Sequence, residues 1–100
     1  MPVTYLIEFR VRPERRSRFE ELLRGVLEAM SEESMFVDAR LSVDPEDPDR
    51  FLLHETWQDH DDVLAVQLTR SYREVWHAEL PDLLVEERRI GIWNPIWPRP

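Results

Sequence analysis

The sequence contains no cysteine and no lysine, and both absences limit the chemistry open to the protein. All 13 basic residues are arginine. Without cysteine there is no disulfide framework, no thiolate nucleophile and no sulfur ligand for a metal. Without lysine there is no Schiff-base intermediate. Covalent catalysis through a thiolate or an imine is therefore excluded.

Positive charge and long apolar runs are also scarce. The formal net charge is −8, so nucleic acid and anionic membranes are poor partners, because binding phosphates requires the opposite field. No apolar run approaches the roughly 18 residues that span a bilayer, and the first residues lack the pattern of a signal peptide. These features predict a cytoplasmic protein. The 100 residues, 42% of them apolar, predict a single globular domain over residues 1–100.

The first half of the chain predicts a strand and then a helix. Apolar residues alternate with polar ones from Val3 to Val11, which is the period of a half-buried strand. Pro13 suits a first helical position. Apolar residues then recur at steps of three and four from Phe19 to Met30, as in an amphipathic helix. Gly25 lies inside this helix, and we expect it to permit close packing on the sheet.

The next segments predict a hairpin. Residues 35–43 alternate again, with Val37, Ala39, Leu41 and Val43 on one face. The composition of residues 44–50 is that of a turn. Residues 51–57 follow as the third strand.

The last third predicts two helical stretches and a final strand. Asp59 is placed to cap a helix whose first turn is acidic. A second helical stretch carries Tyr72 and Trp76, and Pro81 is expected to punctuate it. Residues 85–93 complete the pattern as a strand. The order βαββαβ predicts an α+β, ferredoxin-like fold, with helices on one face of a four-stranded antiparallel sheet.

The other sheet face carries too many charged residues for a core and too many apolar residues for a face exposed to solvent. Its predicted members are Leu6, Glu8, Arg10, Phe36, Asp38, Arg40, Leu52, His54 and Thr56. A homodimer that packs two such faces together would bury the apolar members and pair the charges across a two-fold axis. The tail, residues 91–100, holds two tryptophans and is expected to lie over the partner subunit.

Several short patterns resemble the antibiotic biosynthesis monooxygenase (ABM) family. They are Phe9-x-Val11-x-Pro13, Phe19-x-x-Leu22-Leu23, the Asp- and Pro-rich turn ending at Phe51, and Glu55-x-Trp57 before an acidic helix start. The similarity covers nearly the whole chain. It implies a dimeric α+β barrel with a pocket between helices and sheet in each subunit. It also implies oxidation of aromatic phenols to quinones by O₂, with no metal and no flavin.

The sequence departs from that family at two histidine positions. Many members carry a histidine on the helix after the tryptophan, where this chain has Val66-Gln67. Many carry another just before an aromatic residue that matches Tyr72, and here the neighbour is Ser71. The haem-degrading relatives are the least similar, because the helical histidine is their axial ligand.

Trp57 and Glu55 are the candidate catalytic residues, and both lie on the same face of the third strand. Trp57 fits two interpretations equally, as an aromatic wall for a flat substrate or as core. A buried carboxylate is rare unless it is paired. Glu55 therefore either forms an ion pair with Arg88 or Arg89, which base rates favour, or has a raised pKa and moves protons.

Tyr72 and Trp76 lie four residues apart on one helical face and are candidates for the other wall of a substrate pocket. Core packing explains them equally well. Phe9 completes the predicted substrate-binding set of Trp57, Tyr72, Trp76 and Phe9. No metal site is predicted.

The three histidines have structural interpretations. His54 points away from Glu55 and Trp57, toward the predicted dimer face. His60 stands among Asp59, Asp61 and Asp62, which superficially suggests a metal site, but an acidic helix start explains the same residues. His77 is expected at the surface.

Two functions of different class remain open from the sequence, besides a third, isomerase-like activity on the same barrel. One is a cofactor-independent monooxygenase acting on a phenol, hydroquinone or anthrone. The other is a non-catalytic dimeric binding or regulatory domain on the same fold, because fold does not dictate function. A pocket polar enough to ionise a phenol would favour the enzyme. A pocket filled by Trp57, Tyr72 and Trp76 would favour the binding domain.

Overall fold

The computed structural model describes residues 1–98 and contains the predicted ferredoxin-like fold. The strands are β1 (Val3–Arg10), β2 (Phe36–Asp44), β3 (Asp47–Trp57) and β4 (Arg89–Trp93), all antiparallel in the order β2-β3-β1-β4. The helices are α1 (Arg16–Ser31), α2 (His60–Ala65) and α3 (Glu74–Leu83), with short 3-10 turns at 13–15, 67–69 and 71–73. Arg99 and Pro100, the end of the predicted tail, lie outside the described residues. Within residues 1–98, no helix is long and apolar enough to span a membrane.

An aromatic cluster joins the sheet to α1 and α3. Phe19 of α1 lies with its ring centroid 5.1 Å from Phe9, 4.9 Å from Phe51 and 5.6 Å from Trp76. Phe9 and Trp76 are also in edge contact at 5.8 Å. All four side chains are buried. The alternation of β1 and the helical stripe of α1 therefore meet in one core, as their periods predict.

A β-bulge in β2 corrects the prediction for Phe36. The register pairs Phe36 with Trp57 and then Asp38 with Thr56, so Val37 is the extra residue. Because of this bulge, Phe36 lies on the helix-covered face rather than on the outer face with Asp38. Its ring packs edge-on against Trp57 at 5.5 Å.

The helix ends agree with the prediction at α2 but not at α3. The side chain of Asp59 accepts a hydrogen bond from the backbone N–H of Asp62 at 3.1 Å, which confirms the cap. Pro81, however, lies inside α3, which ends two residues later at Leu83. A proline in the last turn removes only one hydrogen bond. Strand β4 begins at Arg89 rather than at residue 85.

The expectation for Gly25 is wrong. The residue is exposed, and a Cβ added there would meet no atom within 4 Å. Gly25 therefore permits no close approach of α1 to the sheet.

Candidate active site

A cavity of about 230 Å³ lies between the sheet and the helices. Apolar side chains from β1, β3, α1 and α3 form most of its wall, among them Ile7, Phe9, Leu23, Met30, Leu53 and Trp76. Six polar side chains also line it: Tyr5, Glu55, His60, Arg73, His77 and Arg88. An apolar slot with a few converging polar groups is the usual form of a small-molecule site.

Tyr5 and His60 form a hydrogen-bonded pair in the cavity wall. The Tyr5 Oη lies 2.6 Å from the His60 Nδ1. β1 carries Tyr5, and the Asp59 cap fixes the first residue of α2, His60, beside it. Burial raises the pKa of Tyr5, and the negative charges of Glu55 and Asp59 raise it further. The phenol therefore keeps its proton, and its short hydrogen bond to the imidazole is an arrangement suited to passing a proton between the two.

Glu55 is a buried carboxylate without an ion-pair partner among residues 1–98. Its Oε1 accepts a hydrogen bond from the Trp57 indole N–H at 3.3 Å. Burial raises the pKa of Glu55, and the positive charges of Arg73 and Arg88 oppose that effect. The predicted ion pair with Arg88 or Arg89 is thus not formed, and the raised pKa is the alternative that the structure supports.

Arg73 lies against two aromatic rings. Its guanidinium carbon is 5.9 Å from the centroid of Trp57 and 5.7 Å from that of Tyr72, within the range of cation–π attraction. The side chain is only 6% exposed. Its Nε and Nη2 atoms have no hydrogen-bond partner among the described residues.

The cavity adjoins a larger open groove of about 730 Å³. Leu68, His77, Arg88 and Ile90 line both spaces, so they mark the junction. His77 is half-buried rather than at the surface, and burial lowers its pKa, with the positive charges of Arg88 and Arg73 adding to the effect.

Of the predicted site residues, the structure brings Glu55, Trp76 and Phe9 into the cavity wall. Trp57 and Tyr72 are not lining residues. Trp57 is completely buried behind Glu55, and the hydroxyl of Tyr72 is buried without a hydrogen-bond partner among residues 1–98. Their contacts with Arg73 place them directly behind the polar part of the wall.

The model of the antibiotic biosynthesis monooxygenase family matches residues 2–78. The chain belongs to the ABM family. Arg88, Ile90 and Ile92 are the cavity residues that fall outside the matched range.

Solved structures share the fold at low sequence identity. A proposed antibiotic biosynthesis monooxygenase from Nitrosomonas europaea superposes with a TM-score of 0.89 at 21% identity, covering 99% of this chain and 94% of that one. Rv0793 from Mycobacterium tuberculosis gives 0.87 at 19% identity, covering 96% of each chain. A variant of SnoaB from Streptomyces nogalater, described as a cofactor-independent oxygenase, gives 0.80 at 18% identity, covering 98% of each. Among curated proteins, a sequence comparison finds no significant match.

The sequence-based prediction for this ABM chain missed Tyr5, His60, Arg73, Arg88 and His77. A signal for Tyr5 was present, because it shares its strand face with Phe9. The interpretation of His60 as part of a helix start was correct for Asp59 but incomplete, since the cap also turns the imidazole into the cavity. No local pattern marks Arg73, whose burial depends on how three elements pack.

The residues beside His60 do not assemble a metal site. Within residues 1–98, no group of three or more histidine and carboxylate side chains could hold a metal ion. Asp59 caps α2, and Asp62 accepts a hydrogen bond from the Gln67 amide at 3.0 Å. The acidic cluster is therefore engaged in local structure.

Proposed function

We propose that the protein is a cofactor-independent monooxygenase that oxidises a phenol, hydroquinone or anthrone to a quinone with O₂. The observation that carries the proposal is the Tyr5–His60 hydrogen bond in the wall of an apolar cavity. Membership of the ABM family and the fold shared with SnoaB agree with it. The cavity has polar side chains in its wall and is not filled by Trp57 and Tyr72, which favours an enzyme over a passive binding domain.

The first step is removal of a proton from the bound aromatic. Tyr5 takes the proton from the substrate while it passes its own to the Nδ1 of His60, which becomes an imidazolium. The guanidinium of Arg73, which is buried in the same cavity wall, stabilises the substrate anion by its positive charge. This supplies the base that the sequence alone did not reveal.

The anion then reduces O₂. One electron passes to O₂, and the substrate radical combines with superoxide to form a carbon–oxygen bond. The peroxide anion takes back the proton from His60. A second base removes the remaining hydrogen on that carbon as a proton, the O–O bond breaks, and the departing hydroxide takes that proton and leaves as water. One O₂ thus converts the reacting carbon, a CH₂ in an anthrone or a ring C–H in a phenol, to a carbonyl carbon and yields one water.

Glu55 is the proposed second base, and Trp57 is a positioning residue that acts through it. A raised pKa makes the Glu55 carboxylate a stronger base than an exposed one. Trp57 holds that carboxylate by its indole N–H. Phe9 and Trp76 provide flat apolar walls for the substrate ring, and Tyr72 backs Arg73.

The test is oxygen uptake by metal-stripped protein with a panel of hydroquinones, naphthols and anthrones. We expect one quinone per O₂, with one oxygen atom from labelled O₂ in the product. Tyr5→Phe removes only the hydroxyl and should lower kcat about 100-fold. Val75→Ala, at an exposed position of α3 outside the cavity, serves as the control. No uptake from the folded protein across the panel would instead favour the binding domain.

The proposed assembly is a homodimer through the outer sheet face and the tail. Ile96 and Trp97 are 85% and 81% exposed, and Leu52 on the outer face is 41% exposed. Large apolar side chains at such exposure are covered in many proteins by a partner subunit. Light scattering should give twice the chain mass of 12.1 kDa, and Leu52→Asp should shift it to the monomer value. A native chain that is already monomeric would remove this part of the proposal.

A further inference from the structure

Two guanidinium groups line the cavity without an ion-pair partner among residues 1–98. Arg73 is almost completely buried, and two of its nitrogen atoms have no hydrogen-bond partner in that part of the chain. Arg88 is half-buried just before β4 and also lacks an ion pair with the described residues. A buried cation without a partner is costly, because water no longer solvates it. Arginine remains charged at neutral pH, so the cost is not relieved by loss of a proton.

The charge of the cavity is opposite in sign to that of the protein. Glu55 contributes at most one negative charge against the two arginines, whereas the whole chain carries −8. Burial also favours the protonated form of Glu55 by raising its pKa. The cavity therefore attracts anions, although the surface around it repels them.

The backbone of Arg88 lies at the end of the cavity remote from Tyr5, and its side chain lines the cavity. Tyr5 pairs with Ile92 across the sheet, and Arg88 precedes Ile92 by four residues. At about 3.3 Å per residue, the two backbones are separated by roughly 13 Å along the strand direction. Arg88 also lines the groove outside, so an anion there would remain partly accessible.

The size of the cavity limits the ring system of the ligand. A closed apolar cavity of about 150 Å³ holds one benzene ring. The volume here is about 230 Å³, which suits two fused rings. A larger ligand would have to extend past Arg88 into the groove.

We propose that Arg88, supported by Arg73, is an anion-binding site, and that the ligand is a fused two-ring aromatic that carries both a carboxylate and a hydroxyl. The position of the hydroxyl rests on the proposed function, whereas the position of the carboxylate does not. Arginine matches a carboxylate with two parallel N–H donors. The site thus selects a hydroxyaryl carboxylic acid over a neutral phenol of the same size.

The experiment measures anaerobic binding by calorimetry, so that no turnover takes place. The probes are 2-naphthol, 2-naphthoate and 6-hydroxy-2-naphthoate. We expect both carboxylates to bind roughly 10- to 100-fold more tightly than the naphthol, as a charge-assisted hydrogen bond implies. Arg88→Gln should remove that advantage and leave the affinity for 2-naphthol unchanged. Arg88→Lys should restore part of it.

Arg89→Gln is the matched control. It makes the same charge change one residue away, at an exposed position that pairs with Glu8 and lies outside the cavity. We expect it to leave all three affinities unchanged. Equal losses of carboxylate affinity in Arg88→Gln and Arg89→Gln would mean that only the net charge of the protein matters, and would overturn the site.

The outcomes separate this inference from the proposed oxidation. Preference for the carboxylates without oxygen uptake would support the anion site and contradict the monooxygenase. Oxygen uptake together with equal affinities for the naphthol and the carboxylates would support the monooxygenase and contradict the anion site. Failure of all three probes to bind would overturn the anion site.

Discussion

On the outer face of the sheet Arg50 forms ion pairs with two carboxylates, whereas the charged side chains around the cavity form none among residues 1–98. Arg50 donates to Glu8 at 2.8 Å and to Asp44 at 3.1 Å. Among residues 1–98, Glu55, Arg73 and Arg88 form no ion pair, although all three line one cavity. The outer pairs are partly exposed, and the cavity charges are partly or wholly buried.

This difference separates charges that serve structure from charges that serve a site. Exposed ion pairs add little to stability and cost little to keep. Unpaired buried charges lower stability, so a stable fold retains them only where they do something else. The proposed function therefore places the chemistry on the cavity face, and the proposed homodimer places the assembly on the outer face.

The largest expected effect is the loss of turnover when the cavity histidine is replaced. His60→Gln keeps a polar side chain but removes the imidazole that is hydrogen-bonded to Tyr5 and that receives its proton in the proposed mechanism. We expect kcat for oxygen uptake to fall about 100-fold. His54→Gln is the matched change on the outer face, where His54 lies 4.0 Å from Asp38. It should leave kcat unchanged.

A native kcat in both variants would contradict the proton path through His60. A fall in both would contradict the contrast between the faces when both variants keep the native mass, and a lowered mass in His54→Gln would attribute its fall to loss of the proposed dimer. Light scattering on each variant distinguishes these outcomes.

Most of the fold could be predicted because its signals are local. The period of two in β1 and the stripe of α1 identify a strand and a helix without reference to the rest of the chain. The bulge at Val37 could not be predicted, since it depends on the partner strand. Pro81 was misjudged because a proline breaks a helix interior but is tolerated in a last turn.

The site was only partly predictable, because it is built from residues distant in sequence. Glu55 stood out as a carboxylate on an apolar strand face, and Phe9 and Trp76 as large aromatics. Tyr5 and His60 are 55 residues apart, and only the pairing of β1 with β3 and the cap of α2 bring them together. The sequence does not distinguish Arg73 from a surface arginine, because its burial follows only from the packing of distant elements.

The second effect concerns stability and its conflict with binding. Arg73→Met replaces the buried guanidinium with an apolar side chain of similar length. Each unpaired buried donor costs about 1–3 kcal/mol, so its removal stabilises the fold. Loss of each ring contact offsets that gain by roughly 1 kcal/mol. We expect the free energy of unfolding to rise by about 2 kcal/mol while affinity for 2-naphthoate falls.

Arg50→Met on the outer face is the comparison for this variant. It removes both exposed ion pairs and should slightly lower the free energy of unfolding. Urea denaturation of the two variants measures both changes. A less stable Arg73→Met protein would mean that the ring contacts outweigh the unpaired donors.

A third change should add stability without affecting either face of the sheet. Gly25 lies exposed on α1, with open space where a Cβ would be. Gly25→Ala should raise the free energy of unfolding by about 1 kcal/mol, because alanine favours the helix. Oxygen uptake should stay at the native rate. A destabilised variant would mean that α1 is covered there by a partner.

The smallest effect is the pH dependence of stability that Glu55 introduces. Burial raises the pKa of Glu55, but Arg73, the Trp57 N–H and Arg88 lower it and so reduce the net shift. The folded pKa of Glu55 lies above the unfolded one, so the folded protein binds this proton more tightly. Its stabilising contribution is complete below the unfolded pKa of about 4.3 and is lost as pH rises through the folded pKa. Glu55→Gln cannot lose this contribution. The urea midpoint of Glu55→Gln should therefore rise relative to that of the native chain between pH 4 and pH 8. Glu8→Gln, which removes a partner of Arg50, should show no such rise.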